Sequence, residues 1–147
     1  MSKFENLSPS MEDYLESMYM IQKKGEPLRI KDIAGNLSVK MPSVIGALKV
    51  LKQNGYIEYE KSSPLILTEK GRKIAKSILK RHRILAVFLE KTVLLSKTEA
   101  DSIACKLEHI ISPDTALRFK NLTEYLDNVK MQNSMSDEKW HSIITQK

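Results

Sequence analysis

Apolar residues recur at helical spacing along most of this chain, with one short interruption where the period falls to two. Met11, Tyr14, Leu15, Met18 and Tyr19 predict a first helix beginning at Ser8 or Ser10 and stopping near Lys24-Gly25. Pro9 suits its first turn, and Glu12 and Asp13 suit its positive end. Leu28 to Leu37 reads as a short second helix with Ile33, Ala34 and Leu37 inward. A turn through Ser38-Val39-Lys40 leads to Met41-Pro42-Ser43, which opens a third helix carrying Val44, Ile45, Leu48 and Leu51. Asn54-Gly55 is its stop signal. Tyr56 to Glu60 and Leu65 to Leu67 then form two β-like runs around Lys61-Ser62-Ser63-Pro64, the pattern of a hairpin.

Helical spacing resumes at Thr68-Glu69-Lys70-Gly71 and continues to about Lys91. After a connector from Thr92 to Lys97, another helix is expected through Ile111, broken by Ser112-Pro113-Asp114. A further helix runs to about Leu126, followed by a polar, loose stretch from Asn128 to Ser136. Trp140, Ile143 and Ile144 are apolar enough to dock a last helical turn. The pattern predicts a mainly α protein: a winged helix-turn-helix unit over residues 1–71 and an all-helical unit over 72–147.

Composition narrows the class. A chain of 147 residues with 41% hydrophobic and 29% charged residues can bury a real core. Its apolar runs are too short to cross a bilayer, and nothing near Met1 resembles a signal peptide. A single cysteine excludes an internal disulfide framework and suits a reducing cytoplasm. The net charge of +6 is unevenly spread: Lys23 to Lys91 holds 16 Lys and Arg against 6 Asp and Glu, about +10. A basic middle is the footprint expected of phosphate binding, although a solvated cationic helix from Lys70 to Arg83 would give the same balance.

Two short helices and a basic hairpin form a unit suited to double-stranded DNA. The second of the two helices would enter the major groove by its N-terminal end. Lys40, Ser43 and Gly46 are the expected facing positions, and Pro42 offers apolar contact to thymine methyls. Lys49 would contact phosphates or face solvent, as would Lys52, and Lys61 sits at the wing tip as a backbone contact. Small residues on this helix favour shape readout over bidentate base contacts.

Cys105, Glu108 and His109 read C-x-x-E-H within the expected helix, so thiolate, carboxylate and imidazole share one face. Asp13 and Glu16 form a second polar pair at i, i+3 on the first helix. Each residue alone has an ordinary structural explanation: a buried thiol, a satisfied histidine, or helix-start charges. His82, in Lys80-Arg81-His82-Arg83, is equally explained as solvated or phosphate-facing. Together, the two half-sites can be closed by a divalent cation.

The anchors P-S-M-E-D-Y-L-E at 9–16, D-I-A at 32–34, L-T-E-K-G at 67–71, R-H at 81–82 and C-K-L-E-H at 105–109 resemble the iron- and manganese-dependent repressors. The diphtheria toxin repressor and the manganese transport regulator typify that family. The resemblance runs from about Pro9 to Leu126 and implies a homodimer, a winged domain followed by a helical dimerisation domain, in a short form without an SH3-like domain. It implies that Asp13, Glu16, His82, Cys105, Glu108 and His109 are metal ligands. Cys105 matches the iron-type branch, whereas Asp13 matches the manganese-type branch. Two ancillary ligand positions of the iron type stand here as Ala86 and Asp101, so that second site is not reproduced intact. The metal stays open: Fe²⁺ or Mn²⁺ sensing is favoured, with Zn²⁺, Co²⁺ or Ni²⁺ as competitors because thiolate shifts preference toward them.

The expected function is therefore metal-dependent repression of metal-homeostasis genes, with no small-molecule substrate and no membrane partner. The alternative is a winged-helix regulator that senses a redox signal or an organic ligand through Cys105 without metal. A metallohydrolase is disfavoured, since no separate nucleophile or oxyanion-stabilising loop is evident.

Overall fold

Ser8 starts the first helix by accepting a hydrogen bond from the Met11 amide at 3.3 Å, with Pro9 in the first turn. The computed structural model describes residues 7–146. Helix α1 (Pro9–Lys23) buries Tyr14, Leu15, Met18 and Ile21 along one face. Beyond it the chain reverses at Gly25, whose φ of +79° is a conformation open to glycine at little cost.

Helix α2 (Ile30–Leu37) begins two residues later than the hydrophobic pattern suggested. Leu28 instead forms an antiparallel bridge with Leu65, and Arg29 is extended, so backbone pairing takes these residues from the helix. The turn out of α2 places Ser38 in the left-handed region (φ 52°, ψ 40°), and the Val39 amide returns to the Ala34 carbonyl at 3.0 Å. Helix α3 (Met41–Gln53) follows at once, with Pro42 in its first turn and Val44, Ala47, Leu48 and Leu51 inward. Strands β1 (Ile57–Glu58) and β2 (Ile66–Leu67) pair antiparallel, Ile57 opposite Leu67 and Glu58 opposite Ile66. The hairpin has fewer paired residues than expected, because the chain leaves the ladder before the Lys61-Ser62-Ser63-Pro64 turn.

Helix α4 (Glu69–Lys91) is locked to the hairpin at its start. The Thr68 hydroxyl donates to the Gly55 carbonyl at 2.7 Å and accepts from the Gly71 amide at 3.1 Å. A β-carbon at Gly71 would overlap the Tyr56 carbonyl oxygen and crowd Leu67, so this contact requires glycine. The described residues divide into two compact units between Leu79 and Lys80, inside α4.

The first unit closes on one apolar core, which joins α1, α2, α3, the hairpin and Ala75 of α4. In the second unit, Ser96 and Glu99 form a reciprocal capping box at the start of α5 (Lys97–Leu107). That helix ends four residues short of the expected Ile111. Pro113 forces Ser112 into extended backbone (ψ 156°), and the chain must turn before it. Glu108 keeps helical angles (φ −58°, ψ −28°), so its i, i+3 relation to Cys105 survives; His109 lies in the turn.

Helix α6 (Pro113–Gln132) outlasts its expected end at Leu126, since the polar residues that follow include no helix breaker. The tail thought loose is helix to Gln132, then a tight turn with Ser134 at φ 47°. Helix α7 (Asp137–Ile144) is tied down by Trp140, whose indole N–H donates to the Thr92 carbonyl at 3.1 Å. Phe88 and Phe119 meet edge to face at 4.8 Å. No helix among the described residues is long and apolar enough to cross a membrane.

Candidate metal centre and nucleic-acid surface

Helix α5 turns Asp101, Cys105 and Glu108 to one side, at i, i+4 and i+7. His82 comes from the middle of α4. Its Nδ1 stands 2.6 Å from Glu108 Oε2 and 3.8 Å from Cys105 Sγ, while its Nε2 stands 2.8 Å from Asp101 Oδ1. One donor atom from each of His82, Cys105 and Glu108 lies within 4.8 Å of the other two. His109 adds a second imidazole, its Nε2 3.6 Å from Glu108 Oε1.

Glu108 is the most deeply placed of these groups, with a side chain 1% exposed. A carboxylate so far from water must be compensated by opposite charge, hydrogen bonds or a cation. Next to His82 on α4, the Arg81 side chain is itself buried, and its Nε donates to the Glu108 backbone carbonyl at 2.7 Å. Arg81 thus satisfies a carbonyl at the C-terminal end of α5 and anchors the Glu108 backbone. The Glu108 hydrogen bond is the main reason that His82 is held up to about 9; burial opposes this, and the Asp101 bond adds to it.

The chemistry of this donor set fits a divalent transition metal. Imidazole nitrogen, thiolate sulfur and carboxylate oxygen are ligand types that such ions accept together, and a buried carboxylate beside two imidazoles is poised to exchange protons for a cation. Cys105 is the exposed member of this donor set.

The other acidic pair belongs to α1. Asp13 and Glu16 are half-buried and line a cavity of about 220 Å³ with Ser17, Met20, Asn36 and Leu37. Within the second unit, then, the structure gathers His82, Cys105, Glu108 and His109. Two residues of this site escaped sequence reasoning: Asp101, set aside as a lost ligand position, and Arg81. The i, i+4 spacing of Asp101 to Cys105 was the available signal. Arg81 gave none, because its bond is to a backbone carbonyl far along the chain.

The outer face of α3 carries Pro42, Ser43, Ile45, Gly46 and Lys49, all exposed, and Lys40 is exposed as its N-terminal flanking residue. A β-carbon at Gly46 would meet nothing within 4 Å, so no packing within this chain requires glycine there. Lys61 is exposed in the hairpin turn. Ile45, Lys49, Tyr59 and Lys61 border a groove of about 280 Å³ between α3 and the hairpin. Lys52 differs from its neighbours: its Nζ is 2.7 Å from Glu60 Oε1, so part of its charge is already answered.

Comparison with known proteins matches each half of the chain to a family domain. Residues 6–65 match the iron dependent repressor N-terminal DNA binding domain, and residues 68–136 match the iron dependent repressor metal binding and dimerisation domain. An uncharacterized HTH-type transcriptional regulator of Methanocaldococcus jannaschii is 37% identical over 119 residues, covering 80% of this chain and 95% of its own length. The HTH-type transcriptional regulator MntR of Bacillus subtilis is 34% identical over 120 residues, 82% of this chain and 84% of that one. Among solved structures, the manganese regulator SloR superposes with a TM-score of 0.71 at 30% identity, over 81% of this chain and 55% of its own. This chain therefore spans about half of that longer protein. With a winged unit ahead of a helical unit that gathers transition-metal donors, the chain belongs to the iron-dependent repressor family of metal-dependent transcriptional regulators.

Proposed function

We propose that this protein is a cytoplasmic repressor of metal-homeostasis genes that binds double-stranded operator DNA as a homodimer when loaded with Fe²⁺ or Mn²⁺. The observation that carries this reading is the convergence of His82, Cys105 and Glu108, with donor atoms within 4.8 Å of one another, in a chain whose other unit is a winged helix. His109 is the fourth ligand from this unit, and Asp13 and Glu16 of α1 complete the set. The DNA-binding role belongs to residues 1–71, and metal binding and dimerisation belong to 72–147.

A bound divalent ion supplies positive charge that neutralises carboxylates contributed by different helices. Everything else is the work of the chain. Ligands drawn from α1 as well as α4 and α5 make the spacing of two winged units in a dimer depend on occupancy. Half-sites on one DNA face need reading helices roughly 34 Å apart, or a multiple of that. Differential stabilisation of one arrangement is what a population shift requires. On α3, Lys40, Pro42, Ser43 and Gly46 meet the groove, and Lys49 and Lys61 meet phosphates. Cys105 moves the preference from manganese toward iron, with zinc, cobalt and nickel as competitors.

The test uses full-length protein purified without air. Duplexes selected from a random pool in Mn²⁺ or Fe²⁺ should lose affinity on chelation and regain it when either ion is restored. Equal DNA affinity with and without chelator sinks the reading. Cys105→Glu should move selectivity toward manganese, and unchanged selectivity removes Cys105 from the ligand set.

A further inference from the structure

Both ring nitrogens of His82 are engaged, by residues spaced along one face of α5. Nδ1 looks toward Glu108 and Cys105, at 2.6 and 3.8 Å, and Nε2 looks toward Asp101 at 2.8 Å. A neutral imidazole has one N–H and one lone pair, so it can ligate only through the nitrogen that lacks hydrogen. From this geometry we infer that Asp101 is a positioning residue for metal binding: its carboxylate accepts the Nε2–H of His82 and keeps that proton in place, so that Nδ1, on giving up the proton it shares with Glu108, is the nitrogen presented to a metal beside Cys105 and Glu108. The inference rests on the metal reading above and assigns a role that the ligand set does not include.

Three features favour positioning over direct ligation. Asp101 is one turn from Cys105 and two from Glu108, so the same stripe of α5 brings both the donors and the group that orients their partner. Its carboxylate approaches the nitrogen on the far side of the ring from Glu108, and no compact donor group among the described residues includes it. Its side chain is 64% exposed, so the fold does not lean on it. Carboxylates behind ligating histidines recur in metal sites, where they fix the tautomer and the ring plane. A half-turn about the Cβ–Cγ bond of His82 would otherwise put Cδ2 and Cε1 where Nδ1 and Nε2 now stand.

The experiment is a chelator-competition titration of the full chain with Zn²⁺, a diamagnetic probe, joined to nitrogen-15 spectra of the His82 ring in the zinc-loaded protein. Wild type should show metal on Nδ1 and a proton on Nε2. Asp101→Ala should bind zinc about tenfold to 100-fold more weakly, with that ring assignment lost or mixed. Asp101→Asn, whose amide oxygen accepts the same bond, should recover most of the affinity and the original assignment. Thermal midpoints of the metal-free variants, taken above pH 9 where the His82 imidazolium no longer contributes, should match wild type. An Asp101→Ala protein with unchanged affinity and ring assignment overturns the inference. So does an Asn variant as weak as Ala with a lower zinc stoichiometry, because Asp101 is then a ligand. Wild-type protein that takes up no zinc overturns the metal reading itself, and the role of Asp101 with it.

Discussion

The two units of this chain spend their apolar residues differently. The winged unit buries Leu15, Met18, Ile33, Val44, Leu48, Leu51 and Leu67 almost completely in one continuous core. In the helical unit the fully apolar buried positions, among the described residues, are Leu85, Ala100, Ala104 and Ala116, while Arg81, Thr92, Glu108 and Thr123 are buried beside them as polar groups. Meanwhile Ile103, Ile110, Leu117, Leu122, Tyr125 and Met131 stand exposed there. A reading head must hold one shape through every encounter with DNA, and its core can supply that unaided. A unit with small buried alanines, a buried ion-pair network and large apolar residues left outside gains from a cation and from a second copy. That contrast makes the helical unit the adjustable half.

Glu108→Ala gives the sharpest break in the comparison. It removes the carboxylate that both imidazoles face, and it should weaken metal binding by at least about 100-fold, more than losing an outer partner would. Metal-dependent DNA binding should vanish in anisotropy titrations. The winged unit should keep its amide-exchange protection, because its core is built from Tyr14 to Ala75; loss of protection there would show that Glu108 supports that core as well. Ile103→Asp tests the second requirement. Ile103 lies on α5 away from the Asp101–Cys105–Glu108 stripe, so a charge there should weaken self-association by about tenfold or more in sedimentation equilibrium, while zinc binding is kept. Gly71→Ala addresses the other half. Overlap with the Tyr56 carbonyl should cost about 1–3 kcal/mol in urea unfolding of the winged unit, and a neutral result would mean that α4 shifts freely on the hairpin.

The same contrast explains what could be read in advance. The winged unit was legible because periodicity, Pro42, Gly55 and the Thr68-to-Gly71 start all act locally, and the order helix, turn, helix, hairpin follows from them. Its misplaced edge, the start of α2, came from the Leu28–Leu65 bridge, a pairing across 37 positions that no local pattern reports. In the helical unit the C-x-x-E-H spacing announced Cys105 and Glu108 as neighbours, and the family resemblance supplied His82. What stayed hidden was tertiary: Arg81 bonded to the Glu108 carbonyl, and Asp101 behind the His82 ring. Both depend on the register of α4 against α5, which sequence spacing within either helix does not set.

Smaller effects sharpen the reading head. Lys49→Ala and Lys61→Ala should each lower DNA affinity uniformly across sequences and reduce the slope of log affinity against log salt by about 1. Lys52→Ala should change that slope less, because Glu60 at 2.7 Å already answers its charge. An equal slope change at Lys52 would show that DNA pulls it away from Glu60.

The gentlest probe is pH, applied to the metal-free protein. His82 titrates at about 9 in the fold against an ordinary 6.5, chiefly through its bond to Glu108. Folding therefore favours the imidazolium. Its stabilising contribution is complete below about 6.5 and is lost as pH rises through 9. Without metal, the helical unit should melt lower at pH 9.5 than at 6.5 by an amount that His82→Gln erases, while the winged unit shows no such difference. Metal affinity should run the opposite way, rising over the same window, because an imidazolium must give up a proton before it can ligate. If both curves rise together, the Glu108–His82 bond is not the pairing that metal replaces.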